Sequence, residues 1–287
     1  MIEINPSKNA LVLILDTNLK YQSLSLILNL YETQAYSAKL IVLYVFESLE
    51  DKSEYTRLIQ ELLKSNSTSN RQDSLNLEVI FMSEGERDTI TNELELAKGS
   101  NITRTTFLRL FLSTWLPSNL ERILYLDIDI LVKRSLEDLF SRKSDFVICA
   151  VKGGSSLLSI GSHLQNFNSA YFNAGVLLID IDKWRKLEVE SEILKIGQKG
   201  SYPLMDQDIL NLVFKGEWTE LSADYNVQQM PDSAFRFKDE QQSPAIVHFV
   251  GGKPWNESRS TAYVNEYRFQ FNKIRCLYPL LRDWEDE

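Results

Sequence analysis

Two aspartates separated by a single residue are the side chains with the clearest chemical potential in this chain. Asp127 and Asp129 lie in ILYLDIDILV, residues 123–132, whose apolar and β-branched residues predict a buried strand. Residues i and i+2 of a strand point to the same side, so both carboxylates are expected to project together. Two buried carboxylates repel each other and lose their hydration. The pairing is therefore energetically costly unless a cation lies between them. The spacing by itself is equally compatible with a divalent-cation site and with two strand-end acids that face solvent.

A histidine lies near the end of another predicted strand, where it could join the same edge of the sheet. His248 lies in AIVHF, residues 245–249, and is one of two histidines in the chain. Hard carboxylate oxygens suit Mg²⁺ or Mn²⁺, and an added imidazole favours Mn²⁺. No thiolates accompany these residues, which argues against a zinc site. Taken alone, His248 is also compatible with a hydrogen-bonded core residue.

Alternating strands and helices must position these groups. Strands are predicted at residues 11–15, 39–46, 75–82, 123–132, 145–151, 175–181 and 245–249. Helices are predicted at 21–31, 53–64, 103–115 and 206–214, with shorter ones after a capping box at Ser135 and Asp138 and after a cap at Asp182. The alternation predicts an α/β fold, a mostly parallel sheet with helices on both faces. Ligands bind at the carboxyl ends of such strands, where Asp16, Asp129 and His248 are expected.

Bulk composition narrows the function classes further. The chain has 287 residues and a net charge of -9, which argues against nucleic-acid binding because phosphates require a basic surface. Cys149 and Cys276 are far apart and are expected to be buried free thiols in a reducing compartment. The N-terminus lacks a signal-peptide pattern and no apolar run has transmembrane length, so a cytoplasmic location is expected. Polar residues 65–73 and the Gly/Ser-rich residues 153–171 are predicted loops.

Four motifs in order resemble the glycosyltransferase 8 family, the retaining GT-A enzymes that include lipooligosaccharide galactosyltransferases and glycogenin. They are ILYLDIDILV, YFNAGVLLIDIDKWR at 171–185, MDQDILNLVFKG at 205–216 and VHFVGGKPW at 247–255. The likeness covers roughly residues 9–256. It implies a Rossmann-like GT-A fold and transfer of galactose or glucose from a UDP-sugar, with Mn²⁺ or Mg²⁺ and with retained anomeric configuration.

The resemblance assigns a role to each site residue. The metal ligands would be Asp127, Asp129 and His248. Contacts to the nucleotide and diphosphate would come from Asp16, Asn18, Arg109, Asp127, Ile128, Asp129, Gly251 and Lys253. The groups nearest the transferred sugar would be Asn173, Asp206 and Gln207. Front-face attack is favoured, with Gln207 near the anomeric carbon and a diphosphate oxygen as the base; double displacement through Asp206 stays open.

Several positions depart from the family pattern. Ile14 stands where a small residue is usual, and Leu19 stands where an aromatic residue stacks on uracil, so either Leu19 or Tyr21 is expected beside the base. Gly153 stands near the position of an acceptor-binding Asp. The GGK spacing leaves one residue between Gly251 and Lys253 where relatives have two. A contact between Lys253 and the diphosphate is favoured, and a solvent-facing Lys253 is the alternative.

The predicted organisation is a catalytic domain at residues 1–256 and a tail at 257–287 that packs on it or contacts acceptor or membrane. The tail mixes aromatic and basic residues with acids, which supports weak peripheral attachment at the inner face of the membrane at most. The expected acceptor is a glycan, a lipooligosaccharide or a glycoprotein.

Two other function classes compete with this interpretation. A nucleotide-sugar-binding protein without catalysis would explain the departures at Ile14, Leu19 and Gly153. A haloacid-dehalogenase-type phosphatase also has DxDx[TV] after a strand, but here the fifth position is Leu131 and three predicted strands precede the motif.

Overall fold

The computed structural model describes residues 8–33, 38–67, 76–96, 103–153, 171–229, 243–256 and 261–278. Among these residues, no helix is both long enough and apolar enough to cross a membrane. The predicted loop at 153–171 lies outside the described residues except for its two ends. The polar loop predicted at 65–73 begins late, because residues 65–67 still belong to a helix.

A seven-stranded sheet forms the centre of the fold. Its strands are β1 (Asn9–Asp16), β2 (Lys39–Phe46), β3 (Leu77–Ser83), β4 (Arg122–Leu126), β6 (Ile148–Lys152), β7 (Phe172–Asp180) and β8 (Thr219–Glu220). The order is β3-β2-β1-β4-β7-β6-β8. The neighbouring strands β3, β2, β1 and β4 pair in parallel, as do β6 and β8. Strand β7 is antiparallel to both of its neighbours. The predicted mostly parallel α/β architecture is confirmed.

Helices cover both faces of this sheet. They are α1 (Lys20–Glu32), α2 (Leu49–Ser67), α3 (Glu84–Thr91), α4 (Leu112–Trp115), α5 (Glu137–Phe140), α6 (Ile181–Lys186), α7 (Val189–Gly197), α8 (Met205–Phe214) and α9 (Ala262–Leu277). Successive residues of β1 feed opposite cores, with Leu11 and Leu13 in one and Ala10 and Val12 in the other. The alternation along the strand thus produces two hydrophobic layers.

The Asp-Ile-Asp segment is where the predicted strand breaks. The expected continuous strand at 123–132 is wrong: β4 ends at Leu126, and β5 (Ile130–Val132) belongs to a second sheet with β9 (Val227–Gln229) and β10 (Ile246–Phe249). Asp127 and Asp129 therefore lie in the bend between two sheets rather than on one strand. A bend leaves both carboxylates free to turn toward β10, which pairs antiparallel with β5.

Three local predictions are also corrected. Ser135 and Asp138 form no capping box, because Leu136 is the N-cap of α5 and makes no side-chain cap bond. Helix α6 is capped by Asp180, whose carboxylate accepts from the backbone N–H of Lys183, rather than by Asp182. Cys149 is a buried free thiol as expected, but Cys276 is exposed.

Candidate functional site

A cavity of about 370 Å³ opens at the carboxyl ends of β1 and β4. Seven of the residues predicted to bind the nucleotide or metal line it: Asp16, Asn18, Arg109, Asp127, Ile128, Asp129 and Lys253. Asp16 ends β1, whereas the Asp-Ile-Asp bend follows β4, the strand paired beside it. The carboxyl ends of neighbouring parallel strands meet at one edge of a sheet, which explains why segments more than 100 residues apart in sequence share one cavity.

In this cavity, Asp16 organises a set of polar groups. Its carboxylate accepts from the hydroxyl of Thr103 at 2.6 Å, and from the backbone and side-chain nitrogens of Asn18 at 3.2 and 3.3 Å. The bond to the Asn18 backbone caps a one-turn 3-10 helix at Thr17–Leu19. Asp16 and Asn18 are therefore fixed relative to each other before any ligand arrives.

Three candidate metal ligands converge beside this cavity, and two of them, Asp127 and Asp129, line it. His248 Nε2 lies 3.3 Å from Asp129 Oδ1 and 3.7 Å from Asp127 Oδ2. Adjacent ligands of an octahedral ion, bound at about 2.1 Å, lie roughly 3 Å apart. Asp127, Asp129 and His248 form the one group of three or more His, Cys, Asp or Glu side chains with suitably close ligand atoms among the described residues. Two oxygens and one imidazole nitrogen fit Mn²⁺ or Mg²⁺.

The space beside this cluster depends on a glycine of β7. A Cβ atom at Gly175 would lie 2.2 Å from His248 Cε1 and 2.9 Å from Asp127 Oδ2. Any larger residue would therefore displace the imidazole or the carboxylate. The backbone of Gly175 also accepts a hydrogen bond from the N–H of Asp127 at 2.8 Å, which joins the bend to β7.

Each aspartate of the cluster turns its second oxygen toward a cation. Asp127 Oδ1 lies 2.9 Å from Arg109 Nη1 and accepts from the hydroxyl of Tyr125 at 2.7 Å. Asp129 Oδ2 is ion-paired with Lys253 Nζ. Burial alone would raise the pKa of Asp129, but His248 and Lys253 hold it well below its usual range. Both cations offset carboxylate repulsion while Asp127 Oδ2 and Asp129 Oδ1 face His248.

Arg109 connects the candidate metal cluster to the start of α8. It lies on the 3-10 helix Arg104–Leu110, and its Nε is 3.0 Å from Asp206 Oδ2. Its guanidinium also lies over the Tyr125 ring, 4.6 Å from the centroid. Burial alone would lower the pKa of Arg109, but Asp127 and Asp206 raise it above its ordinary value. Arg109 is therefore a largely buried residue that is ion-paired with both Asp127 and Asp206.

The first turn of α8 carries two further candidates. Burial raises the pKa of Asp206 to about 6, although the Arg109 charge acts in the opposite direction. The Gln207 side chain accepts from Ala174 N at 2.9 Å and donates to the Tyr171 hydroxyl at 3.0 Å. Met205, directly before Asp206, has a φ of 43°, a left-handed conformation that is unfavourable for a residue with a side chain. The helix start is held in a strained geometry that orients Asp206 and Gln207.

Asn173, predicted beside the sugar, lies on β7 and is almost fully buried. Its Oδ1 accepts from Gly175 N at 3.0 Å and from Asn226 Nδ2 at 2.8 Å. Asn226 in turn places its Oδ1 at 3.1 Å from His248 Nδ1. Asn173 is therefore linked to the metal cluster through a residue that the motifs did not indicate.

Gly251 and Tyr21 were predicted near the nucleotide, but neither lines the cavity. Gly251 has a φ of 88° and is exposed, and it is not among the described residues that line the cavity. Leu19 lines the cavity, whereas Tyr21 does not: its hydroxyl donates to Glu54 at 3.1 Å and its ring packs against the cores. Of the two expected base contacts, Leu19 is the one with access to the cavity.

Sequence reasoning missed several residues of the site, among them Thr103, Tyr125, Asn226 and Trp255. Tyr125 had a usable signal, because it lies two residues before Asp127 at the end of a predicted strand. Trp255 is the last residue of the fourth motif and lines the cavity. Thr103 and Asn226 had no usable sequence signal, since each reaches its partner only through the tertiary fold.

Comparisons with known proteins agree with this geometry. The sequence profile of glycosyl transferase family 8 matches residues 14–259. Glycosyltransferase GlyA of Streptococcus pneumoniae is 31% identical over 182 residues, which are 61% of this chain and 25% of GlyA. General stress protein A of Bacillus subtilis is 27% identical over 195 residues, 62% of this chain and 68% of that protein. Lipopolysaccharide 1,2-glucosyltransferase of Escherichia coli is 29% identical over 184 residues, 58% of this chain and 54% of that protein.

Solved structures give the same fold. The galactosyltransferase LgtC, in complex with donor and acceptor sugar analogues, has a TM-score of 0.74 at 22% identity, covering 95% of this chain and 99% of that one. At this identity the likeness establishes the fold, which is GT-A. The profile match covers most of the chain, and residues of the first and fourth motifs line the cavity. The chain belongs to glycosyl transferase family 8.

Proposed function

We propose that this glycosyltransferase transfers galactose or glucose from a UDP-sugar to a glycan or glycoconjugate, with retained anomeric configuration and with Mn²⁺ or Mg²⁺ bound. The observation that carries the proposal is the convergence of Asp127, Asp129 and His248 beside a cavity that Asp16 and Asn18 also line. A nucleoside diphosphate needs polar partners for its base and ribose and positive charge for its phosphates, and this cavity offers both.

The divalent metal would be held by the two aspartates and His248. When bound, it would supply positive charge to the departing diphosphate. Lys253 supports the same role from the chain itself, because it lines the cavity with its ammonium at Asp129. This placement favours the predicted diphosphate contact over the solvent-facing alternative.

On the sugar side, the proposed groups are Asn173, Asp206 and Gln207. Arg109 holds the Asp206 carboxylate, while Ala174 and Tyr171 hold the Gln207 amide. A carboxylate that is already ion-paired is a weaker nucleophile, which supports front-face attack over a covalent intermediate on Asp206. The similarity to E. coli lipopolysaccharide 1,2-glucosyltransferase and to the galactosyltransferase LgtC supports a hexose donor and a saccharide acceptor.

The decisive experiment measures the stabilisation of the protein by UDP with Mn²⁺ and with chelator. At one hundred times its Kd, UDP should stabilise the folded chain by about 2.7 kcal/mol with Mn²⁺ and much less without it. Asp129→Ala should remove the metal-dependent part while retaining cooperative unfolding. An equal UDP shift with and without Mn²⁺ would contradict the proposed metal site.

A screen of UDP-sugars for Mn²⁺-dependent hydrolysis then separates the enzyme from a binding protein, because slow transfer to water needs no known acceptor. Leu19 motivates the binding alternative, since an aliphatic side chain lines the cavity where the family uses an aromatic one. Turnover of a UDP-hexose supports the enzyme; UDP binding with no turnover of any UDP-sugar supports the binding protein. Release of inorganic phosphate rather than UDP would support a phosphatase.

A further inference from the structure

The imidazole of His248 has two nitrogens, and only Nε2 faces the candidate metal site. Nε2 lies 3.3 Å from Asp129 Oδ1, whereas Nδ1 lies 3.1 Å from Asn226 Oδ1. Metal binding at Nε2 requires a free lone pair there, so the proton of the neutral ring must reside on Nδ1. The selection of this tautomer is important for metal binding, and its role rests on the proposed metal-dependent function.

A chain of hydrogen bonds with fixed polarity reaches His248 from the backbone of β7. The N–H of Gly175 donates to Asn173 at 3.0 Å, and a backbone N–H can act only as a donor. The facing atom of Asn173 must therefore be its oxygen, and this oxygen also accepts from Asn226 at 2.8 Å. Asn226 consequently presents Nδ2 to Asn173 and Oδ1 to His248. An amide oxygen is only an acceptor, so the nitrogen that faces it must carry the proton.

Burial prevents water from substituting for any link in this chain. Asn173, Asn226 and His248 are 3%, 0% and 4% exposed. Rotation of either amide by 180° would place two donors or two acceptors face to face in a dry environment, which is costly. The polarity set at Gly175 therefore passes to His248 without an alternative arrangement of equal energy.

We infer that Asn226 is a positioning residue for the metal ligand His248. The Gly175 N–H fixes the orientation of the Asn173 amide, which fixes that of Asn226, so that the Asn226 oxygen faces His248 Nδ1. This hydrogen bond holds the imidazole as its Nδ1–H tautomer, with Nε2 directed at Asp127 and Asp129. Asn226 lies between the 3-10 helix Ala223–Tyr225 and β9, and its backbone N–H donates to Ala223 at 3.1 Å. The tautomer is thus selected by an element that carries neither aspartate.

The tautomer can be measured directly in the full-length chain. The protein has two histidines, so His163→Gln leaves His248 as the single histidine for ¹⁵N-histidine NMR. The metal-free protein should show His248 Nδ1 protonated, because the atom that faces it is the amide oxygen of Asn226. Asn226→Ala in the same background should shift the population toward the Nε2–H form.

The second measurement is Mn²⁺ affinity, read from the electron paramagnetic resonance signal of the free ion without any substrate. Loss of a partner that orients a metal-bound histidine typically weakens metal binding by 10- to 100-fold, and Asn226→Ala is expected in this range. Asn29→Ala is the matched control: Asn29 is another buried asparagine, which bonds both backbone groups of Val132. It should lower stability while leaving Mn²⁺ affinity and the tautomer unchanged.

A wild-type His248 that is mainly Nε2–H overturns the inference, as does an Asn226→Ala variant with an unchanged tautomer and Mn²⁺ affinity within twofold. Should the alanine variant unfold, Asn226→Ser replaces it, because its short hydroxyl side chain also removes the amide. Failure of the wild type to bind Mn²⁺, with or without UDP, would count against the proposed function. The tautomer measured by NMR would still test the hydrogen-bond chain independently of metal binding.

Discussion

Arg109 compensates the negative charge of two carboxylates in the site. It contacts Asp127 and Asp206 at 2.9 and 3.0 Å, so one buried guanidinium compensates a metal-side carboxylate and a sugar-side carboxylate together. The planar fork of an arginine can serve two carboxylates at once, which a lysine ammonium does less well. The two halves of the site are therefore electrostatically coupled through a single side chain.

Asp206→Asn tests the sugar side of the site. If Asp206 acts in the transition state, turnover of the UDP-hexose should fall tenfold or more while UDP affinity changes little. The Asp206 pKa of about 6 adds a pH dependence. Below that pH the carboxyl takes up a proton and loses its charge toward Arg109, so kcat/KM, which reports ionisations of the free enzyme, should fall as the pH decreases through 6. The residual activity of Asp206→Asn should lack this step, and a parallel loss of UDP binding would instead indicate a structural role.

Lys253→Ala tests the shortened loop after β10. A charge-assisted hydrogen bond to phosphate contributes roughly 1.5–3 kcal/mol, so UDP binding should weaken about tenfold or more. Its salt dependence should flatten, because one of the attractive charges is gone. Isothermal titration at two salt concentrations measures both effects. An affinity within about twofold of wild type would place Lys253 outside the diphosphate site.

At the scale of elements, strand β7 supports the site from behind. It supplies Asn173 and Gly175, and its backbone bonds the Asp-Ile-Asp bend and the Gln207 amide. The strand runs antiparallel to β4, which places residues 172–176 beside the end of β4 and the bend that follows it. A single rigid strand therefore sets the relative positions of the metal cluster and the start of α8.

Gly175→Ala should abolish metal-dependent UDP stabilisation, because the added Cβ would lie 2.2 Å from the His248 ring. Gly85→Ala is the matched control: Gly85 is on α3 and no atom lies within 4 Å of its Cβ position. That variant should keep UDP binding and gain a few tenths of a kcal/mol up to about 1 kcal/mol of stability from helix propensity. Thermal shifts with UDP and Mn²⁺ measure both variants. Wild-type behaviour of Gly175→Ala would show that His248 does not need its observed position.

At the scale of the molecule, α9 belongs to the same packed structure as the sheet. Ile274 and Tyr278 lie in the core cluster that contains Leu11 of β1, and the Tyr278 hydroxyl donates to the Leu58 carbonyl at 2.6 Å. Tyr267 and Phe271 pack with Phe249 of β10, the strand that carries His248. The helix that follows the motif region thus supports the metal strand from the side away from β7. The domain boundary at 256 and membrane attachment of the tail stay predictions.

Ile274→Ala should lower the free energy of unfolding by about 2–4 kcal/mol, the usual cost of truncating a fully buried aliphatic side chain. UDP affinity with Mn²⁺ should change less than about twofold, because Ile274 contacts the core rather than the cavity. Phe269→Ala, at a position that is 67% exposed on the same helix, should cost little. Urea unfolding measures both variants. Equal, small effects would mean that α9 does not contribute to the cooperative unit.

The sequence by itself determined the α/β class, and its motifs indicated most of the predicted nucleotide-binding residues that line the cavity. Apolar runs with period two, interrupted by helical patterns, carry the fold class locally, and Asp16, Asp127, Asp129 and His248 each lie near the end of such a run. The paired aspartates lie close together although the expected strand geometry was wrong. The i, i+2 spacing brings two carboxylates together both on a strand and in a bend.

Only the tertiary structure decided which side chains complete the site. Asn226 reaches His248 across 22 residues, and Thr103 reaches Asp16 across 87, with no local pattern to indicate either contact. The same holds for Leu19 against Tyr21, because side-chain direction after a helix cap depends on what packs around it. Hydrogen-bond partners in a buried site are chosen by burial and geometry, which arise when the elements dock. Local residue patterns do not encode that docking.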